Sequence, residues 1–214
     1  MVIAIIMLFN VFFIVSDYKA KDENYKIVID AGHGGMDTGA FRGDVYESEI
    51  TLKIALKLEE VLESNGYSVL MTRNDMNALC KDKFIKKEDM DNRLNVINSA
   101  NTLLGVSIHL NEFGIKKYHG AQVFYSNSIS ESYDLALNIQ KNLQYYLKNT
   151  DRSIVKRDNV YLLNRASIPF CIVECGFMSN DEEFELLVSD AYQYKMANVI
   201  FYGIEEYIKE KRLA

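Results

Sequence analysis

Short apolar runs typical of β-strands alternate with longer amphipathic helical patterns through most of the 214-residue chain. This alternation is typical of α/β proteins, in which helices connect the strands of a mostly parallel sheet. We therefore expect a single α/β domain whose sheet is twisted, mixed but mostly parallel, and flanked by helices on both faces. The predicted strands cover residues 26–30, 67–72, 103–109, 121–125 and 169–174.

Three helices are predicted where apolar residues recur every three or four positions. They cover residues 50–62, 135–147 and 191–208, and the first stops at Asn65-Gly66, a typical helix end. Residues 73–88 are polar and show no periodicity, so we expect a surface loop near the functional site.

The N-terminus carries a segment of a different kind. Residues 2–15 are apolar except for Asn10, and a polar stretch over residues 16–24 follows. As a helix the apolar run would span roughly 21 Å, short of the roughly 30 Å hydrocarbon core of a bilayer. No Lys or Arg precedes it and no small-residue cleavage pattern follows, so an uncleaved anchor and a buried helix remain alternatives. We expect residues 1–23 to be an export signal or membrane anchor, and residues 24–214 to lie outside the cytoplasmic membrane.

Charge and cysteine content exclude two classes of protein. The chain has 24 Lys and Arg against 30 Asp and Glu, a net charge of −6, so it lacks the basic surface that attracts nucleic acid, and we expect no nucleic-acid partner. Its three cysteines are too few for a disulfide framework. Cys171 and Cys175 share one predicted strand, which puts their Cα atoms roughly 13 Å apart, too far for a bridge. Cys80 could pair with either only if the fold brings them together.

Three polar side chains fall where predicted strands end. His33 follows the first strand in DAGHGG, His109 ends LLGVSIH, and Glu174 ends PFCIVE. Because the carboxyl ends of parallel strands share one edge of a sheet, where ligands bind, these residues should converge. Two histidines and a carboxylate are a typical donor set for catalytic zinc, which keeps its fourth position for water.

The remaining ligand should be acidic, and spacing does not identify it. Glu47 and Glu49 begin the helix after the glycine-rich loop, with Asp37 and Asp44 as further candidates. Glu174 lies inside the apolar run FCIVECGF, where an unpaired carboxylate would be costly, so a functional role is favoured over a structural one. His119, in the polar turn KKYHG, is expected to be a solvated turn residue.

The motifs of the chain, taken in order, resemble those of the zinc-dependent N-acetylmuramoyl-L-alanine amidases. These peptidoglycan hydrolases cut the amide between the lactyl group of muramic acid and the first L-alanine of the stem peptide. The resemblance implies a phosphorylase/hydrolase-like fold, zinc ligands at His33, Glu47 and His109, and a catalytic glutamate at Glu174. It rests on VIDAGHGGMDTGA, YESEITLKIA, VSIHLN, GAQVFY and IPFCIVECGFMSN, and covers residues 26–209.

Two departures from the family pattern leave the metal ligands in place. Ser48 stands where the family usually has lysine, and Cys175 where it often has Thr or Ala. We expect no wall-binding module after the catalytic domain. A bare catalytic domain behind an export segment resembles the sporulation and germination amidases, which act on spore cortex peptidoglycan and help form muramic-δ-lactam. That resemblance extends the expected location to the forespore intermembrane space.

The expected partners and alternatives complete the prediction. The substrate is peptidoglycan, a protein activator is a further expectation, and membrane contact is expected only through the N-terminal segment. Arg93, Asn111 and Arg165 are candidate substrate contacts. The two arginines could contact the substrate or its oxyanion or could be surface ion-pair partners, and Asn111 could instead orient His109. The alternatives are a zinc carboxypeptidase or endopeptidase acting on stem peptides, and a non-catalytic wall-binding protein.

Overall fold

The computed structural model describes residues 25–80 and 83–213, so the signal or anchor predicted over residues 1–23 lies outside the described residues. None of the helices in the described residues is long and apolar enough to cross a membrane. The strands of this part of the chain are β1 (Lys26–Ala31), β2 (Phe41–Arg42), β3 (Val45–Tyr46), β4 (Ser68–Met71), β5 (Thr102–Asn111), β6 (Gln122–Tyr125), β7 (Val155–Lys156) and β8 (Phe170–Phe177).

The helices connect these strands as the alternating pattern predicts. In chain order they are α1 (Glu47–Ser64), α2 (Lys86–Ile97), α3 (Ser132–Asn142), α4 (Tyr161–Arg165), α5 (Asp181–Leu187) and α6 (Asp190–Leu213). A π-helical turn (Leu143–Leu147) extends α3, so the predicted helix over residues 135–147 is α-helical only in its first part.

Six of the strands form one mixed sheet in the order β4-β1-β5-β8-β6-β7. The pairs β1–β4, β1–β5, β5–β8 and β6–β7 are parallel, and β6–β8 is antiparallel. The predicted α/β class and the mostly parallel sheet are therefore confirmed. The parallel centre of the sheet brings the carboxyl ends of β1, β5 and β8 to one edge, which is where the candidate site lies.

Both faces of the sheet are covered, because successive strand residues point to opposite sides. Ile27 and Ile29 of β1 pack into a large core with α1, α3 and α6. Val28 points the other way, into a smaller core with α2 and α4. Cys171 and Cys175 are buried and free, and Cys80 is also free, so the described residues contain no disulfide.

Three local predictions need correction. The segment predicted as a loop over residues 73–88 gives way to α2 at Lys86. The hairpin of β2 and β3 was not predicted, and neither was β7, because strands of two residues are too short to show an alternating pattern. Strands β5 and β8 also continue two and three residues beyond their predicted ends.

Candidate metal centre and active site

The polar side chains predicted at the strand ends lie at the carboxyl edge of the sheet. His109 of β5 and Glu174 of β8 are direct neighbours across two parallel strands. His33 lies in the turn that follows β1. Because β5 continues to Asn111 and β8 to Phe177, His109 and Glu174 lie inside their strands rather than at the last residue.

His33, Glu47 and His109 form one cluster in which the ligand atoms they offer all lie within 4.8 Å of one another. Glu47 Oε1 lies 3.2 Å from His33 Nε2 and 3.1 Å from His109 Nδ1. The two imidazole rings meet edge to face with their centroids 4.9 Å apart. The sequence could not choose between Glu47 and Glu49, and the structure places Glu47 in the cluster.

Backbone hydrogen bonds fix the carboxylate of Glu47. It is the first residue of α1, where the helix dipole favours a negative charge. Its Oε1 accepts from the backbone N–H of Leu110 at 2.9 Å, and its Oε2 from that of Ala40 at 2.9 Å. Burial favours the neutral acid, but hydrogen bonds from His109 and His33 outweigh it and hold the pKa of Glu47 well below its ordinary value. Glu47 is therefore an anion among donors.

Two glycines allow the backbone to come close to the cluster. A Cβ on Gly32 would lie 2.5 Å from His109 Cε1, and a Cβ on Gly39 would lie 2.5 Å from Glu47 Oε2. His33 itself has a φ of 61°, in the left-handed region of the backbone. Residues other than glycine rarely adopt this conformation, and those that do are concentrated at functional sites. The glycine-rich sequence therefore provides the space that the side chains of the cluster occupy.

Arg73 holds the turn that carries His33 through hydrogen bonds to backbone oxygens. Its Nε donates to Ala31 O at 2.9 Å, and its Nη2 donates to Gly32 O and Ser48 O, each at 2.8 Å. These bonds join the end of β1 to the first turn of α1, which carries Glu47. This role was not predicted because Arg73 falls at the start of a polar segment. Its position directly after the predicted strand over residues 67–72 was the available signal.

Arg93 is also part of this support, which corrects its predicted role. The side chain is 2% exposed. Its Nε donates to Asp89 Oδ2 at 2.7 Å and its Nη1 to Asp30 Oδ1 at 2.7 Å, while Nη2 donates to His33 O. Each guanidinium nitrogen thus has a protein acceptor. Arg93 holds the His33 turn through buried ion pairs, so it is not a surface ion-pair partner. Because it also lines the cavity that contains the cluster, its role as a substrate contact stays a prediction.

Asp37 is a second contact of the cluster that spacing did not identify. Its Oδ1 lies 3.0 Å from His33 Nδ1, and its Oδ2 accepts from Lys86 Nζ at 2.8 Å. A carboxylate beside the distal ring nitrogen of a ligand histidine orients the ring and increases its basicity. Asp37 therefore supports His33 rather than joining the three-residue cluster, while Asp44 is exposed.

Glu174 differs from Glu47 in its surroundings. Its Oε2 is buried and has no hydrogen-bond partner among the described residues. Burial raises the pKa of Glu174 to about 7, with the charge of His109 acting in the opposite direction and that of Glu47 adding to the shift. Glu174 and the three cluster residues line the same cavity of about 380 Å³. The carboxyl group of Glu174 therefore gains and loses its proton near neutral pH.

The other predicted site residues lie elsewhere. Asn111 lines a neighbouring groove, and no hydrogen bond is recorded between its side chain and His109 among the described residues. Arg165 is exposed and stacks on Tyr161, with the guanidinium carbon 4.8 Å from the ring centroid. His119 is exposed in its turn, as the sequence predicts.

The cluster fits a divalent metal ion. Two imidazole nitrogens and one carboxylate oxygen converge within 4.8 Å, and this donor set is one that catalytic zinc sites use, with a fourth position left for water. The buried Oε2 of Glu174 beside them is a polar atom that a metal-held water could satisfy. The donor set and this oxygen, which has no partner among the described residues, therefore both fit a metal ion that carries a water.

Several known proteins are similar to this chain in sequence and in fold. A germination-specific N-acetylmuramoyl-L-alanine amidase of Bacillus subtilis (strain 168) is 36% identical over 190 residues, which cover 86% of this chain and 80% of that protein. The structure of the CwlD amidase from Clostridioides difficile, in complex with the GerS lipoprotein, has a TM-score of 0.82 and 39% identity, covering 86% of this chain and 98% of that one.

A third similar protein also has a known structure. The catalytic domain of CwlV, an amidase from Bacillus (Paenibacillus) polymyxa var. colistinus, has a TM-score of 0.76 and 30% identity over 86% of this chain and 98% of that one. The resemblance inferred from the motifs and the predicted enzyme class are confirmed. Residues 27–206 match the family Amidase_3, and the chain accordingly belongs to the N-acetylmuramoyl-L-alanine amidase family.

Proposed function

We propose that this protein is a zinc-dependent amidase that cleaves the bond between muramic acid and L-alanine in spore cortex peptidoglycan. The observation that carries the proposal is the cluster of His33, Glu47 and His109 with the partner-free carboxyl oxygen of Glu174 in the same cavity. The family match supports the bond that is cleaved, and the donor set supports the metal.

Each residue has a role that follows from its position. His33, Glu47 and His109 would hold the zinc, with Asp37 orienting His33. When bound, zinc lowers the pKa of a coordinated water from 15.7 to about 7 and polarises a carbonyl oxygen. Glu174 accepts the proton of the attacking water, because its carboxyl oxygen without a partner among the described residues lies in the same cavity as the three ligands.

The same carboxyl group completes the cleavage. After the water oxygen adds to the amide carbon, Glu174 returns the proton to the nitrogen of L-alanine as the C–N bond breaks. The products are a muramic acid with a free lactyl carboxyl group and a peptide with a free N-terminus. Positioned proton transfer of this kind contributes about 10²–10⁴ in rate.

The relatives support the finer assignment to the spore cortex and a protein partner. One similar protein is named germination-specific, and another was solved in complex with a lipoprotein. By analogy, this chain would act in cortex maturation, with muramic-δ-lactam as the downstream product, and would bind an activator protein. The apolar segment over residues 2–15 supports export, and we place the protein outside the cytoplasmic membrane, in the forespore intermembrane space.

Digestion of purified peptidoglycan tests the bond and the metal together. With zinc-loaded protein, mass spectrometry should find free muramic acid lactyl groups and peptides beginning with L-alanine, and chelator should abolish both products. Products that keep L-alanine on muramic acid would instead support a carboxypeptidase or endopeptidase. A zinc-loaded chain that leaves peptidoglycan uncut even with its activator present would support a non-catalytic wall-binding protein, and full zinc occupancy with full activity in the isolated chain would contradict the need for an activator.

A further inference from the structure

A groove adjoins the catalytic cavity on the side of β6 and β7. The cavity of about 380 Å³ and the groove of about 320 Å³ share two lining residues, Phe124 and Arg157. The groove is otherwise lined mainly by aromatic and amide side chains, including Phe113, Tyr118, Phe177 and Gln122. A ligand that leaves the metal cluster along this groove passes Arg157.

Arg157 is held in place without using its charge. Its backbone N–H donates to Tyr125 O at 2.7 Å, which fixes the chain directly after β7. The guanidinium lies over the ring of Phe124 at 5.1 Å from the centroid. Among the described residues, no acceptor is recorded for its guanidinium nitrogens, and the residue is exposed. The side chain is therefore positioned by stacking while its donors remain free for a ligand.

The other cations that line the groove and cavity already have hydrogen-bond acceptors. Lys86 donates to Asp37, and Arg93 is enclosed by its buried carboxylate partners. Arg152, on the groove wall, donates from Nε to His119 O at 2.7 Å and from Nη1 to Gln122 Oε1 at 3.3 Å. Among the described residues that line the two spaces, Arg157 is thus the cation whose guanidinium has no recorded acceptor.

Acidic groups outnumber cations in the cavity lining, so a cation at the exit favours an anionic substrate. Five carboxyl groups line the cavity, of which Asp37 pairs with Lys86 and Asp30 and Asp89 pair with Arg93, and carboxylates at short range disfavour a bound anion. An arginine at the exit offsets this repulsion locally, and its parallel N–H donors match the two oxygens of a carboxylate. The five groups are those of Asp30, Asp37, Glu47, Asp89 and Glu174.

We propose that Arg157 binds a free carboxylate on the peptide side of the scissile amide and thereby selects stem peptides by their charge. The inference rests on the proposed function and names a specificity determinant within it. The lactyl carboxyl group of muramic acid is consumed in the scissile amide, so the nearest carboxylate of such a substrate lies in the peptide beyond L-alanine. Arg157 therefore discriminates stems with a carboxylate at that position from stems whose carboxyl groups are amidated.

Equilibrium binding to an inactive variant tests the inference directly. In the zinc-loaded Glu174→Gln chain, calorimetry compares N-acetylmuramoyl-L-alanyl-D-glutamate with the same compound carrying both carboxyl groups as amides. We expect the acid to bind about tenfold more tightly, because a partly exposed charge-assisted pair contributes of that order. Adding Arg157→Gln should remove this preference, and Arg157→Lys should restore part of it.

The matched control is Lys156→Gln, which removes the neighbouring exposed cation that pairs with Asp158. This variant should keep the preference for the acid. Equal affinities for the two ligands in the Glu174→Gln chain, an undiminished preference after Arg157→Gln, or no binding of either ligand would each overturn the inference. Failure of the proposed function would appear differently, as wild-type protein that leaves the muramoyl-alanine amide of both compounds intact.

Discussion

At the scale of single residues, the two glutamates of the site differ by environment alone. Glu47 receives two backbone N–H groups and lies beside two imidazoles, so its pKa is held low and it remains an anionic ligand. Glu174 has a buried oxygen with no partner among the described residues, and its pKa is raised to about 7. Two carboxyl groups in one cavity are thus suited to metal binding and to proton transfer.

Replacement of the proposed base should separate these two roles. Glu174→Gln keeps the shape of the side chain but cannot accept a proton, so kcat should fall by about 10²–10⁴. Zinc content measured by atomic absorption should stay at the wild-type level, because the three cluster residues are untouched. A variant that retains wild-type turnover of purified muropeptides would contradict the role of Glu174.

Asp30 illustrates a buried charge that supports the site without taking part in chemistry. It is fully buried and accepts from Arg93 Nη1 at 2.7 Å, Ser107 Oγ at 2.5 Å and Thr72 Oγ1 at 2.8 Å. Burial opposes its ionisation, but Arg93 and the two hydroxyls outweigh that and lower its pKa. Its ionised form therefore stabilises the fold at neutral pH.

Removal of this charge should be costly at neutral pH. Asp30→Asn leaves Arg93 with one fewer buried carboxylate, and breaking such a pair costs about 3–5 kcal/mol in the free energy of unfolding, measured in urea. Because a lowered pKa contributes its full stabilisation above the ordinary value near 3.8 and loses it gradually at lower pH, the difference from wild type should shrink as pH falls below 3.8. Asp158→Asn, at an exposed ion pair, is the control and should leave the unfolding midpoint unchanged.

The sequence predicted the site residues only as far as their positions in the fold depended on strand ends. His33, His109 and Glu174 could be located because parallel strands bring their carboxyl ends together. Glu47 could not be separated from Glu49 by spacing, since both begin the same helix. The contacts of Arg73 depend on how a loop folds back, and no local periodicity reports that.

At the scale of elements, the turn that follows β1 controls the geometry of the His33, Glu47 and His109 cluster. Its backbone passes so close to the ring of His109 that a Cβ on Gly32 would lie within 2.6 Å of two ring atoms. Real Cβ atoms do not approach so closely, so any side chain there must displace the ring. The glycine is required by this contact.

Gly32→Ala should therefore weaken metal binding while the fold remains. Displacement of a ligand by a neighbouring change typically reduces metal affinity about 10- to 100-fold, and competition with a chelating dye measures it. Gly114→Ala is the control, since nothing lies within 4 Å of the Cβ it would add. Unaltered zinc affinity in Gly32→Ala, with both variants folded by circular dichroism, would contradict this account of the turn.

The elements that hydrophobic periodicity did not predict lack a regular apolar pattern. Helix α2 buries Asp89 and Arg93 on its inner side, so its start has no apolar stripe to mark it. Strands β2, β3 and β7 have two residues each, fewer than one full alternation. The long strands and the helices α1 and α6 were predicted because they bury apolar side chains at regular spacing.

At the scale of the whole molecule, the topology brings distant residues to one edge. The turn after β1, the start of α1, and strands β5 and β8 meet at the carboxyl edge of the parallel part of the sheet. The same fold is found in amidase structures with TM-scores of 0.82 and 0.76. The candidate metal site is therefore a product of the sheet order, with His33, Glu47 and His109 contributed by separate elements.

X-ray absorption at the zinc edge tests this central claim most directly. For the purified chain with one equivalent of zinc, we expect a first shell of nitrogen and oxygen only, at about 2.0–2.2 Å, with the outer-shell signature of two imidazoles. The Glu47→Gln and His109→Ala variants should each change that shell or lose the metal. A zinc–sulfur distance of about 2.3 Å, or an identical spectrum in both variants, would show that the metal is bound elsewhere and contradict the account.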